Sequence, residues 1–116
     1  MLPRHLRLKN PRDFTRLRQQ GQRWRGRRLA LNAMPNDLNH SRFGFVVSGR
    51  VGTAVVRNTV KRRLRSAIRQ WLPELASGYD VVVVAYQQAA EATYHELEAE
   101  LVSLLVRAGL LPANRE

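Results

Sequence analysis

Cysteine is absent from the chain, which excludes disulfides, thiolate zinc sites and cysteine nucleophiles and fits a reducing cytoplasm. Long hydrophobic runs are missing too. The longest, Val81 to Tyr86, falls far short of the ~20 residues that a membrane span requires. The amino-terminal stretch MLPRHLRLKN is basic but has no apolar segment behind it, which speaks against a secretory signal. Acids are scarce where bases are dense: residues 1–71 carry 18 of the 20 Lys and Arg against only Asp13 and Asp37, a balance of +16. Residues 72–116 hold Arg107 and Arg115 against seven acids, a balance of −5. Lysine is itself rare, with two against 18 arginines. Planar guanidinium forks suit phosphates and stacked bases, although a GC-rich genome also raises arginine over lysine.

What is present centres on Ala54 to Trp71. At about 100° per residue, Arg57, Asn58, Lys61, Arg62, Arg65 and Arg69 share one face of a helix. Val60, Leu64, Ala67, Ile68 and Trp71 share the other. A solvated basic helix commonly carries acids at i±3 or i±4; this face has almost none, so it is expected to meet a polyanion.

Along the chain, residues 1–9 read as a flexible basic arm. Asn10 and Pro11 form an N-cap and first helical position, and a helix over residues 11–20 follows, with Phe14 and Leu17 inward and Gly21 as its stop. Arg23 to Arg28 read as a basic loop. Alternation over residues 28–33 and 42–48 predicts two half-buried strands, and the short link between them predicts an antiparallel hairpin. Gly49 and Gly52 bracket a turn that matches neither a P-loop nor a dinucleotide fingerprint. Pro73 ends the central helix. Val81 to Tyr86 read as a strand buried on both faces, and residues 91–107 as an amphipathic helix closed by Gly109, with its acids on a solvated face. Residues 110–116 read as a frayed tail. The chain is thus expected to be one α+β domain of order αββαβα, with helices packed on a small mixed central sheet.

Catalytic constellations are wanting. His5, His40 and His95 are scattered, Ser48 and Ser66 have no evident base, and no HxxxH, ExxH or DxD spacing occurs. If the chain serves an enzyme, another component is expected to supply the reacting groups.

The stretch Arg42 to Arg65, RFGFVVSGRVGTAVVRNTVKRRLR, resembles the protein subunit of bacterial ribonuclease P: an apolar strand, Ser with basic residues, Gly-x-Ala-Val-x-Arg-Asn, then Lys-Arg and a later Arg. Arg7, Leu8, Phe14, Gly21, the strand from Arg28 to Ala33 and Asp80 before its valine run extend the match. The resemblance implies a sandwich related in fold to the second domain of ribosomal protein S5. It implies that a catalytic RNA subunit, using Mg²⁺, removes the 5′ leader of precursor tRNA while the protein binds that RNA and the leader. The protein would act as a cytoplasmic monomer within a 1:1 ribonucleoprotein, away from any membrane. Arg57, Asn58, Lys61, Arg62 and Arg65 match the family's helical motif, and with Arg69 they are the expected grip on the RNA subunit. Phe14, Ser48 and Arg50 are the expected leader contacts. Thr59, Gly49, Arg18 and Asn32 depart from the family pattern, the last two where an aromatic is frequent. Trp24 could substitute for an aromatic or pack on the domain edge. A ribosomal or RNA-assembly module, and a DNA reader placing this helix in a major groove, are the competing readings.

Overall fold

The computed structural model describes residues 2–112. Helix α1 (Pro11–Gln20) starts where the local chemistry dictates: Asn10 accepts a hydrogen bond from the Arg12 amide at 3.0 Å, and Pro11 leads the helix. Helix α2 (Ala54–Trp71) is capped by Thr53, and its Val60, Leu64, Ala67 and Ile68 are buried. Helix α3 (Tyr94–Arg107) opens with a reciprocal capping box between Thr93 and Glu96, which closes two otherwise unpaired amides.

Four strands form one sheet in the order β1-β2-β4-β3: β1 (Gln22–Arg25), β2 (Leu29–Pro35), β4 (Tyr79–Ala85) and β3 (Arg42–Val47). Pairing is antiparallel for β1 with β2 and for β2 with β4, and parallel for β3 with β4. The expected β2–β3 hairpin therefore does not form. The hairpin is β1–β2, and β4 inserts between β2 and β3. Valine-rich β4 needs a partner on each side and cover on each face. Asp80 at its start bonds both Arg42 of β3 and Asn36 just past β2, which holds the insertion in place.

The expected basic loop includes a strand for the same kind of reason. With one apolar residue in four, Gln22–Arg25 has little period-2 signal of its own, and only pairing with β2 makes it a strand. Glu100 of α3 steadies the hairpin turn, accepting from the amides of Arg28 (2.7 Å) and Leu29 (2.8 Å). Gly26 leaves the room that this carboxylate occupies. Glu98 accepts from the Trp71 indole at 3.2 Å. These two acids of α3 are thus structural acceptors and do not lie on a merely solvated face.

Alternation along the strands divides the apolar residues between two faces. Leu29, Leu31, Phe43, Val81 and Val83 join α2 and α3 in the main core. Val82 joins Leu8 and Leu17 in a smaller cluster, with Phe14, Met34 and Val84 packed against it. Residues 2–8 are docked, unlike the expected flexible arm over residues 1–9. Leu2 and Leu8 are buried, Arg7 pairs with Phe43 in an isolated bridge, and its Nε donates to the Leu2 carbonyl at 2.9 Å. Leu110 and Leu111 of the expected frayed tail are likewise core residues; residues 113–116 of that tail lie outside the described residues.

Asp80 ties these parts together. Its carboxylate is fully buried and accepts from Arg42 Nε (2.9 Å) and Nη2 (2.7 Å), Arg16 Nη2 (3.2 Å) and Asn36 Nδ2 (3.0 Å). Burial works against its ionised form, but the bonds from Arg42 and Asn36 and the charges of Arg42 and Arg16 outweigh burial and hold its pKa below the usual value. The same bond to Asp80 raises the pKa of Arg42. A depressed carboxylate pKa contributes stability above the unfolded value of roughly 3.9, and this is lost as pH falls through the folded pKa. Asp80→Asn is expected to cost about 3 kcal/mol near neutral pH. The gap to wild type should close under strongly acidic conditions, as read by urea unfolding across a pH series.

Candidate nucleic-acid interface

On α2 the polar face is free of internal neutralisation. Among the described residues no ion pair engages Arg57, Lys61, Arg62, Arg65 or Arg69. Asn58, Arg62, Arg65 and Arg69 are exposed, and Arg57 and Lys61 half-exposed. Arg63, which falls off this face, donates to the Ala92 carbonyl at 2.7 Å and serves the fold. The Thr59 hydroxyl donates to the Val55 carbonyl one turn back at 3.0 Å, so its only O–H is turned to its own helix. The six residues expected to grip RNA thus lie on one helix, five of them with their charge available beside the neutral Asn58, and Thr59 adds none.

Between α1 and the sheet lies a cleft of ≈ 640 Å³ lined by Lys9, Phe14, Arg18, Arg23, Asn32 and Val46, among others. Strand register sets its floor. Gly44, Val82, Asn32 and Arg23 pair successively across the four strands, and Val46, Val84, Ala30 and Arg25 form the next row. Phe14 lies against Gly44, where an added Cβ would fall 2.6 Å from Phe14 Cζ. The Asp80 network holds this arrangement from one side, because Arg16 and Asp13 of α1 share Arg42 and Asp80 with the sheet. A second groove of ≈ 240 Å³ joins Phe14 to Phe45 and Arg65. Arg65 Cζ lies 6.0 Å from the Phe45 ring centroid, so the cationic helix and the aromatic cleft meet there.

The other expected leader contacts stand apart from this pocket. The Ser48 hydroxyl accepts from the Arg50 amide at 3.1 Å and caps a single turn. Arg50 lines a different cavity, of ≈ 700 Å³, with Arg27 and Arg28. Arg18 and Asn32 both line the main cleft, as the places of the missing aromatics require. Trp24 is half-buried and packs against the main core, so it does not serve the cleft. His5 and His40 do meet, edge to face at 5.5 Å, contrary to their expected scatter. No group of three or more His, Cys, Asp or Glu converges among the described residues.

A family model described as Ribonuclease P matches residues 2–109. The chain belongs to the ribonuclease P protein family. The ribonuclease P protein component of Roseiflexus castenholzii is 42% identical over 111 residues, covering 95% of this chain and 91% of that protein. Its counterpart in Chloroflexus aurantiacus is 41% identical over 111 residues, covering 95% and 82%. Among solved structures, the Staphylococcus aureus ribonuclease P protein superposes with a TM-score of 0.86 at 28% identity over 91% of this chain and 97% of that one. The Thermotoga maritima protein gives 0.80 at 27% identity, covering 87% and 96%. The α+β fold expected from the sequence is therefore that of the family.

Gly44 gives a direct test of the cleft. The nearest atoms to a new Cβ there are side-chain atoms, the ring tip of Phe14 and, more loosely, Leu8 Cβ, so Gly44→Ala should keep the fold at a cost of about 1–2 kcal/mol. It should displace the Phe14 ring, seen as shifted Phe14 ring resonances while those of the α2–α3 core stay in place.

Proposed function

We propose that the protein divides its work between two adjoining surfaces: the Arg57–Arg69 face of α2 holds the ribonuclease P RNA, and the Phe14 cleft holds the unpaired 5′ leader of precursor tRNA. As a subunit of that endoribonuclease it partners a ribonuclease P RNA. The finer division rests on one observation, the groove in which Phe14 and Arg65 line a common wall. Arginines fix phosphates without regard to sequence, whereas an aromatic in a cleft stacks on a splayed base for roughly 1–3 kcal/mol. Ser48 and Arg50 extend the leader surface beyond the end of β3, on whose cleft face Gly44 and Val46 lie.

Hydrolysis of the phosphodiester is assigned to the RNA subunit together with Mg²⁺. Asp13 and Asp80 do not fit a cation, because Arg16 and Arg42 occupy their carboxylates. This chain's part is to bind and orient. We place it in the cytoplasm as one copy per RNA. Among the described residues no helix is long and apolar enough to cross a membrane. Family membership removes the ground for a ribosomal module or a DNA reader.

Reconstitution with a bacterial ribonuclease P RNA at low Mg²⁺ tests the reading. The protein should stimulate cleavage of precursor tRNA, and absence of stimulation refutes it. Arg57→Ala and Arg62→Ala should each weaken assembly with the RNA subunit. Phe14→Ala should raise the Kd for a precursor with a long leader about five- to a hundredfold and leave leaderless tRNA unchanged.

A further inference from the structure

The cleft floor continues past Val84 to a cluster that the family motif does not contain. Register pairs Val46 with Val84 and Val47 with Ala85, which brings Ser48 and Tyr86 to neighbouring ends of β3 and β4. Tyr86 follows Val82 and Val84 on the face that α1 covers. Arg23 Nη2 donates to the Tyr86 hydroxyl at 2.6 Å, and Arg23 Nη1 donates to Asn32 Oδ1 at 3.3 Å. Arg25 lies over the Tyr86 ring, with Cζ 5.1 Å from the centroid. Tyr86 is half-buried, while Arg23 and Arg25 are exposed. Strand alternation explains the grouping, since Trp24 turns to the core and the two arginines beside it turn to the cleft side.

We propose that Tyr86, Arg25 and Arg23 form a second base-binding platform for the unpaired leader. An unpaired base stacks on the Arg25 guanidinium, which the Tyr86 ring supports from beneath, and Arg23 meets the adjoining phosphate. Bases stack on arginine planes as well as on aromatic rings, and a guanidinium over an aromatic ring gains cation–π attraction. Asn32 is a positioning residue here: where relatives offer an aromatic, its carbonyl holds Arg23. The cluster thus fills the place left by Arg18 and Asn32. Gly44 and Arg23 stand three strand spacings apart, about 14 Å, so Phe14 and the platform would engage different nucleotides. The inference rests on the leader reading of the cleft.

The test uses holoenzyme reconstituted with a bacterial ribonuclease P RNA and measures Kd for long-leader precursor tRNA and for leaderless tRNA. Arg25→Ala and Tyr86→Ala should each raise the long-leader Kd about five- to a hundredfold, with leaderless binding and assembly with the RNA subunit unchanged. Arg25→Lys should remain weak, because it keeps the charge and loses the plane. Wild-type affinity in Arg25→Lys overturns the stacking claim. Equal loss on leaderless tRNA, or weakened assembly without substrate, overturns the platform. Unchanged Kd in both alanine variants while Phe14→Ala weakens leader binding also overturns it and leaves the cleft reading standing. If Phe14→Ala is silent as well, the leader reading itself falls.

Discussion

A buried carboxylate organises this protein. Asp80 lies at the start of the central strand with no exposure to solvent, a position that would be costly for an isolated charge. Arg42 offsets the cost with two bonds, and Arg16 and Asn36 complete it. These partners belong to β3, α1 and the turn after β2. One ionised group therefore sets which strands flank β4 and how α1 sits on the sheet. With α1 held near Asp80, Phe14 rests over Gly44 and the floor from Val46 to Arg23 stays available.

The arginines then separate by what they find to bond. Arg42 and Arg16 meet Asp80, Arg28 meets Glu100, Arg63 meets the Ala92 carbonyl and Arg7 meets the Leu2 carbonyl. Those are structural. The row on α2 meets no acid among the described residues, and its charge is left unneutralised within the fold. Because counterion release scales with the phosphates neutralised, this second set is the one with charge to spare for a polyanion. Neither composition nor helical periodicity separates the two sets, since an acceptor brought from another element decides membership.

The cleft also depends on distant partners. Asn32 looks like a lost aromatic when β2 is read alone, but in the sheet it holds Arg23, which bonds Tyr86. Trp24 has the chemistry for stacking and the wrong side of its strand. His5 and His40, 35 positions apart in the sequence, meet because the docked arm carries one to the other.

Local chemistry by itself determined much of this molecule. The Asn10–Pro11 cap, the two faces of α2, the stop before Pro73, the buried valine strand and the motif from Gly52 to Arg65 each depend on residues within a few turns of one another. Those signals were enough for the α+β class, the family and the cationic helix. Tertiary structure decided the rest: the insertion of β4 between β2 and β3, β1 as a strand, the docking of Leu2, Leu110 and Leu111, and the meeting of Arg23, Arg25 and Tyr86. The physical reason is that a cap or an apolar stripe is satisfied within its own segment, whereas a ladder edge or a buried charge is satisfied only by whichever remote segment the fold delivers to it.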